Sequence, residues 1–523
     1  MQKTITLLNT MASKENCGLP VKSTFKLTAS FCLVFGLPFS TVCAQENNLF
    51  ASTKETVTQW LAPQPNTDFN KADVKSLSNF EIDTSKIPDL GVVTSSASLN
   101  KSISNDANLL FGLNDSLSLQ EAIVKALQRN PDISEALANV AAQSANIDVS
   151  KAAYYPQLSG GIGTADLTKG EKGRQVISLD ATQMVYDFGK IKSDVTAQEA
   201  QLAVEQAGVL VAIDAVALQT AEAIVNTKRY QQITRIAEQQ IQGISKIAEI
   251  ANLRARAGIS SQADPIQAQS NLEAARANFI LQQNQMRQHQ QKLRTLLGFD
   301  IANVQWDIPD RLVKESDLYA EVQFNQVPEM MVAQGRLQVA KFEKEKTRLS
   351  NYPTLSLKGS LSQAVNGKNP NNNKDDGFYN SIMLEASSNF YQGGSTASRV
   401  RAASYAEEAA KSRMNTVYLD VLDEVRLLRE EIDNKQKQMG VLLSRQETAI
   451  RTKELYQEQY KLGTRTVVDL LNAEQSIHSA AQEIENARYD IYAAIVKYIA
   501  KTGRTRAVYD LNDVAIQGFE IQS

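Results

Sequence analysis

The motif Tyr186-Asp187-Phe188-Gly189 opens a stretch that contains no proline as far as Gly258. The chain repeats this pattern once, because Tyr391-Gln392-Gly393-Gly394 opens a second stretch without proline that ends at Gly463. At 1.5 Å per residue, a helix filling either stretch would be about 100 Å long. The sequence therefore predicts two helices much longer than those of ordinary globular domains.

Apolar residues recur inside both stretches at intervals of three or four positions, which puts them on one face of a helix. They are Ile233, Ala237, Ile241, Ile244 and Ala248, then Val417, Val421, Val425, Leu428 and Ile432. Behind each stretch, apolar residues seven positions apart predict a second helix that packs as a coiled coil. Those residues are Leu272, Phe279, Met286 and Leu293, then Ile477, Ile484, Ile491 and Tyr498. Each long helix is therefore expected to pair with a return helix.

Two strands are predicted before each long helix. In the run 176–186, Ile177, Leu179 and Val185 alternate with polar residues, so they share one side of a strand. Strands of about ten residues are long enough to cross a bilayer when tilted, with the apolar side facing lipid. Four strands cannot close a barrel and open edges are not tolerated in lipid, so spanning strands would require an oligomer. The alternative is an ordinary sheet in a soluble protein.

The repeat divides the chain into two copies of one unit. The first structural repeat covers 116–300, with a β-hairpin at about 157–186, a long helix at about 190–257 and a return helix at about 264–297. The second covers 301–503, with a β-hairpin at about 354–391, a long helix at about 395–462 and a return helix at about 467–502. Copy two carries extra residues between its strands, within 365–376, and such insertions gather in exposed loops.

The first 44 residues have the pattern of an export signal peptide. Lys22 and Lys26 precede an apolar run, and Val42-Cys43-Ala44 offers a cleavage site with small residues. All three cysteines of the chain lie in this segment, so the exported protein would contain no disulfide. Residues 45–115 are expected to form an irregular N-terminal extension, and residues 504–523 a C-terminal tail.

Composition and motifs exclude several classes of function. A formal net charge of -3 gives no indication of a nucleic-acid partner. No run of eighteen apolar residues follows the N-terminal segment, so no membrane-spanning helix is predicted. The chain lacks the common hydrolase, phosphate-binding and zinc motifs, and His289 and His478 stand alone in sequence. We therefore expect neither an enzyme nor a bound metal or cofactor.

The arrangement resembles the TolC family of outer-membrane efflux and type I secretion channels. The resemblance rests on the segment Tyr460-Lys461-Leu462-Gly463-Thr464-Arg465-Thr466-Val467-Val468-Asp469, on Asn486-Ala487-Arg488-Tyr489, and on Tyr-Pro pairs at 155–156 and 352–353. It implies a mainly α fold with a small β part, in which three chains close a twelve-stranded barrel in the outer membrane of a Gram-negative bacterium. It also implies a periplasmic helical tunnel, a periplasmic adaptor protein and an inner-membrane ABC or RND transporter.

The resemblance also implies a gate at the turns between long and return helices. Carried over position by position, Asp264, Tyr460 and Arg465 would form the periplasmic gate, with Arg465 reaching a carboxylate of the neighbouring protomer. Asp469 would belong to an entrance constriction, where the family's second aspartate is replaced by Asn472. Gly258 and Gly463 would form the structural turns.

Helix capping is the alternative role for the acidic residues at these turns. Asp264 precedes Pro265, as a cap before a first-turn proline would, and Thr466 and Asp469 have the spacing of a capping box. The two roles can coexist.

The sequence as a whole predicts a trimeric outer-membrane duct that is passive and gated at its periplasmic end, for type I protein secretion or multidrug efflux. The alternative function is a periplasmic coiled-coil adaptor or a structural stalk without a pore.

Overall fold

The computed structural model of the chain describes residues 71–73, 116–165, 174–299, 301, 305–308, 311–369, 371–389, 391–512 and 514–522. All of these lie in one structural unit, Leu61–Ser523. The predicted export signal lies outside the described residues, and so does the predicted extension 45–115 apart from residues 71–73.

The first repeat is built from two short helices, two strands, a long helix and its return helix. Two short strands precede them. In chain order the elements are β1 Lys71–Asp73, β2 Ser116–Ser118, α1 Leu119–Arg129, α2 Pro131–Lys151, β3 Gln157–Ala165, β4 Arg174–Tyr186, α3 Lys190–Arg256 and α4 Ala263–Leu297.

The second repeat follows the same order after a short connection. Its elements are β5 Gln305–Asp307, α5 Arg311–Glu315, α6 Pro328–Leu349, β6 Thr354–Asn366, β7 Phe378–Ser387, α7 Ser395–Lys461 and α8 Val467–Lys501. The chain then ends in α9 Thr505–Val508, β8 Ala515–Ile516 and β9 Phe519–Gln522. The predicted fold class, mainly helical with a small β part, is confirmed.

The long helices α3 and α7 each run for 67 residues without a break. Helix α3 packs on α4, α6 and α8, while α7 packs on α8 and α6. The residues predicted to form the buried stripe of α7 from Val421 to Ile432 are buried, as are Ile233 and Ala237 in α3. Interior glycines cost only about 1 kcal/mol each relative to alanine, so packing of this extent overrides them.

One described helix is apolar enough over eighteen residues to cross a membrane, and it is α3, with a mean hydropathy of 1.7 in that window. The prediction that no helix spans the membrane rested on unbroken apolar runs, and α3 meets the criterion by length and composition only. The same window is 61% buried within the chain's own fold, as in the core helix of a large protein. Burial against other helices accounts for its apolar character.

The two long helices are buried to very different extents. Of their 67 residues, 25 are buried in α3 but only 6 in α7. The main core collects around the middle of α3, and Trp306, Tyr498 and Phe519 are its largest fully buried side chains. Helix α7 therefore carries a mostly uncovered surface along its length.

The four long strands form one antiparallel sheet in the order β3-β4-β6-β7. The two predicted hairpins are joined because β4 also pairs with β6, which the sequence did not indicate. Among the described residues, β3 and β7 each pair along one side only, so both outer edges of the sheet are open. Strand β7 ends at Ser387, four residues before Tyr391.

The register sorts the side chains of this sheet onto two faces. Directly paired residues share a face, so the pairs Ile162–Ile177, Leu179–Leu361 and Leu357–Leu384 make one face apolar. The opposite face carries Ser178, Asp180 and Thr182, together with an ion pair in which Lys358 Nζ lies 2.9 Å from Glu385 Oε1. The apolar face is exposed in the single chain, with Ile162 81% accessible.

Within 504–523, which we predicted to form a tail, several of the described side chains belong to the core. Leu511 and Phe519 are fully buried, and Arg506 donates a hydrogen bond to the Gln326 carbonyl oxygen at 2.8 Å. Strand β9 also pairs in parallel with β1, Lys71 opposite Glu520. The part of the predicted irregular extension that the structure describes is therefore a strand.

We expect Gly503→Ala to destabilise the protein more than Gly518→Ala. Both glycines have positive φ, 69° and 85°, which costs about 1–2 kcal/mol for alanine. A Cβ at Gly503 would also lie 2.3 Å from the Gln326 carbonyl oxygen, whereas one at Gly518 meets nothing within 4 Å. Forced overpacking adds about 1–3 kcal/mol. Thermal unfolding in detergent, followed by circular dichroism, measures the difference; equal midpoints would contradict it.

Candidate gate at the helical turns

The turns that join each long helix to its return helix have the same backbone geometry. Gly258 and Gly463 both have positive φ, 71° and 75°, a region that favours glycine. In the first turn the Ile259 amide donates to the Arg254 carbonyl at 2.9 Å, and in the second the Thr464 amide donates to the Gln459 carbonyl at 3.0 Å. These bonds close a Schellman motif at each helix end. Both turns thus end their helices abruptly.

The second turn is closed by a capping box, as predicted. The Asp469 amide donates to Thr466 Oγ1 at 3.3 Å, and the Thr466 amide donates back to Asp469 Oδ2 at 3.3 Å. The Thr466 hydroxyl, followed by its amide, stabilises the carboxylate and lowers the pKa of Asp469 below its ordinary value. Asp469 therefore stays ionised while capping α8.

The capping role proposed for Asp264 is wrong. Gln262 occupies the cap position of α4, and Asp264 lies inside the first turn of the helix. A side-chain hydrogen bond at this helix start is made by Ser261, whose Oγ accepts from the Ala263 amide at 3.1 Å. Asp264 is the counterpart of Asp469 in the repeat. The two copies differ in helix capping, because the Asp469 carboxylate takes part in a capping box and the Asp264 carboxylate does not.

Arg465 is held by residues of its own helix pair. Its Nε donates to Gln459 Oε1 at 3.0 Å, its guanidinium lies 4.5 Å from the ring centroid of Tyr456, and its Nη1 is 3.8 Å from Asp469 Oδ2. The side chain is still 41% exposed. The guanidinium therefore retains donors on its solvent side.

Tyr460 connects the two repeats at this end of the molecule. It is buried, and burial, then the charge of Asp264, raises its pKa above the ordinary value for tyrosine. Its hydroxyl has no hydrogen-bond partner within the described residues. The structure thus places Asp264 close enough to Tyr460 for its charge to act on the hydroxyl, while Arg465 lies over Tyr456, one helical turn before Tyr460.

Arg254 is a residue at the helical turns that the sequence analysis missed. Its guanidinium lies 4.8 Å from the ring centroid of Tyr460, and Nη1 donates to the Lys461 carbonyl oxygen at 3.2 Å. The end of α3 is therefore tied to the end of α7 by one side chain. The repeat could have pointed to Arg254. Position 254 in the first copy corresponds to position 459 in the second, and Gln459 accepts a hydrogen bond from Arg465.

The predicted constriction residues lie along the groove between α7 and α8. Asp469 and Asn472 line it together with Arg445 and Tyr456, and its volume is about 730 Å³. Among the described residues, no three His, Cys, Asp or Glu side chains are grouped in a way that could hold a metal ion. His289 stacks on Tyr230 with ring centroids 5.0 Å apart, a packing role.

The sequence model of the outer membrane efflux protein family matches residues 122–299 and 324–503, more than half of the chain. The chain belongs to this family. It is 23% identical to the outer membrane protein TolC of Vibrio cholerae serotype O1 over 417 residues, which cover 76% of this chain and 93% of the relative. TolC of Escherichia coli K12 is also 23% identical, over 423 residues covering 73% and 83%.

The fold of this family member is shared with a solved relative. The Vibrio cholerae outer membrane protein VceC matches it with a TM-score of 0.64 at 17% identity, covering 74% of this chain and 96% of VceC. The chain is thus an exit duct of the outer membrane with a large periplasmic part, as predicted. The family is one of transport channels rather than enzymes, and the alternative of a soluble adaptor or stalk is not supported.

We expect Thr466→Ala to loosen the start of α8 while leaving the charge of the constriction intact. Losing the capping hydroxyl costs about 1 kcal/mol. Hydrogen exchange of the Asp469 amide should therefore accelerate about fivefold. Asp469→Asn is the matched variant, because it removes the charge but keeps a side-chain acceptor for the Thr466 amide. An Asp469 amide that stays equally protected in Thr466→Ala would contradict the capping role.

Proposed function

We propose that three copies of this chain form one duct, with the sheets closing a barrel and the helical turns forming a gate at the periplasmic end. The observation that carries this proposal is the four-stranded sheet with an apolar face and two open edges. Unpaired backbone groups each cost several kcal/mol in lipid, so a spanning sheet must close on itself. Three sheets of four strands give a barrel of a size common in outer membranes.

The surface of α7 supports association of identical chains. Five exposed apolar side chains lie on one face of this helix because their spacings are 14, 8, 14 and 14 residues. They are Tyr405, Leu419, Leu427, Val441 and Leu455, with accessibilities from 51% to 74%. An apolar stripe of this length is normally buried against another helix. In the proposed assembly a neighbouring protomer covers it.

The gate proposal rests on which donors and acceptors remain free at the turns. The Arg465 guanidinium is partly exposed, and the Asp264 carboxylate forms no ion pair with the described residues of its own chain. A guanidinium and a carboxylate on adjacent protomers would form a directional link that holds the mouth closed until a partner competes for it. Tyr460 would support this link by packing against the Arg254 guanidinium, which ties the end of α3 to the end of α7.

A passive duct does not itself drive export, so another protein must supply the energy. We propose that a periplasmic adaptor protein and an inner-membrane ABC or RND transporter bind its periplasmic end. The Gly463-Thr464-Arg465-Thr466 turn favours type I secretion as the role, with multidrug efflux as the second. Asp469 and Asn472 would line the entrance with one negative charge per chain.

We expect Arg465→Ser to raise single-channel conductance in planar lipid bilayers severalfold, because a link that closes the mouth is lost. Arg451→Ser is the control: Arg451 is 74% exposed on α7, the helix that leads into the turn, and pairs with Glu447 of the same helix. This variant removes the same charge away from the turn and should leave conductance unchanged. Equal conductance in both variants would remove Arg465 from the gate. A folded monomer in detergent, measured by light scattering, would contradict the trimer itself.

We expect a cysteine at Lys374, in the loop between β6 and β7, to react with an impermeant maleimide added to intact cells. Lys374 is exposed, and the loop holds its shape through Asn369, whose Nδ2 donates to the Gly377 carbonyl at 2.8 Å. Gln475→Cys on α8 is the periplasmic control and should react only after the outer membrane is permeabilised. The opposite labelling pattern would reverse the proposed orientation.

A further inference from the structure

We infer that Gly243 of α3, against which Glu474 of α8 is seated, is a positioning residue that sets the spacing between the two repeats and thereby the closed position of the mouth. The contact is part of neither the turns nor the predicted gate. It joins the long helix of the first repeat to the return helix of the second. The link to the mouth rests on the gate proposed above, whereas the spacing role does not.

The Glu474 side chain is almost completely buried, with 3% of its surface accessible. Its Oε2 lies 2.5 Å from Lys453 Nζ of α7, and its Oε1 lies 3.2 Å from His478 Nε2 one turn further along α8. Burial disfavours the charge, but the bonds from His478 and Lys453 outweigh it and hold the pKa of Glu474 below its ordinary value. The carboxylate is therefore ionised and held from two helices.

Gly243 supplies the space that this carboxylate occupies. A Cβ built on Gly243 would lie 1.6 Å from Glu474 Oε1 and 2.7 Å from its Cδ. Alanine cannot fit there unless α3 and α8 separate or Glu474 turns out of its site. The other glycines inside the long helices, Gly208 and Gly440, have no atom within 4 Å of such a Cβ. Close approach thus explains a helix-interior glycine at position 243.

The position of this contact couples it to the mouth. Glu474 lies five residues after Asp469 and two after Asn472, so it is about 10 Å from the start of α8. A helix segment this short moves as a rigid piece. Any displacement of α8 from α3 at Glu474 therefore shifts both predicted constriction residues.

The test compares Gly243→Ala with Gly440→Ala, its matched control in the other long helix. Spin labels at Glu249→Cys in α3 and Gln475→Cys in α8, both exposed sites, report the distance between the helices in assemblies diluted with unlabelled chain. We expect Gly243→Ala to lengthen this distance by about 2 Å, since a carbon–oxygen contact needs about 3.5 Å. Gly440→Ala should leave it unchanged.

The second arm combines Gly243→Ala with Glu474→Ala. The double variant has room for the added methyl group, so it should regain the original distance or, where Gly243→Ala fails to assemble, regain assembly. Conductance in planar bilayers should rise severalfold in Gly243→Ala and fall back in the double variant. An unchanged distance in Gly243→Ala overturns the positioning role, whatever Arg465→Ser does. A longer distance with unchanged conductance overturns only the link to the mouth.

Discussion

Lipid offers the backbone no hydrogen-bond partners, and the rest of this structure depends on that constraint. One chain contributes a sheet whose outer strands β3 and β7 each have an unpaired side, so it cannot be stable alone in a bilayer. In the proposed assembly further copies close the sheet, and each copy contributes its own pairs of long helices. The exposed stripe of α7 is consistent with the same requirement. The sheet and the helix α7 thus both support the assembly proposed above.

The two repeats contain the same elements, but their long helices differ in how far they are buried. The first repeat supplies the buried helix, α3, around which the core forms; the second supplies α7, most of whose surface is not buried within the chain. The repeats are tied at two levels near the mouth. Arg254 reaches the end of α7, and Gly243 receives Glu474 from α8. Movement of one helix pair against the other has to break or shift both contacts.

The helices and strands could be predicted from the sequence better than the contacts between them. Periodic apolar residues and the absence of proline depend on local geometry, so both long helices and the four strands could be read directly. The pairing of β4 with β6 joins residues nearly two hundred positions apart, and no local pattern encodes it. At the site, the capping box of Thr466 was recognisable from its spacing, but Asp264 was not the cap that its neighbouring proline suggested. Arg254 and Glu474 were missed because their roles depend on contacts across the repeat.

The parallel pairing of β1 with β9 has a consequence for biosynthesis. Lys71 lies opposite Glu520, so this strand pair needs both ends of the chain in one compartment at once. During translocation the N-terminal end emerges first and must wait, unpaired, until almost the entire polypeptide has followed. This strand pair therefore forms late in folding. A chain truncated before β9 cannot form it.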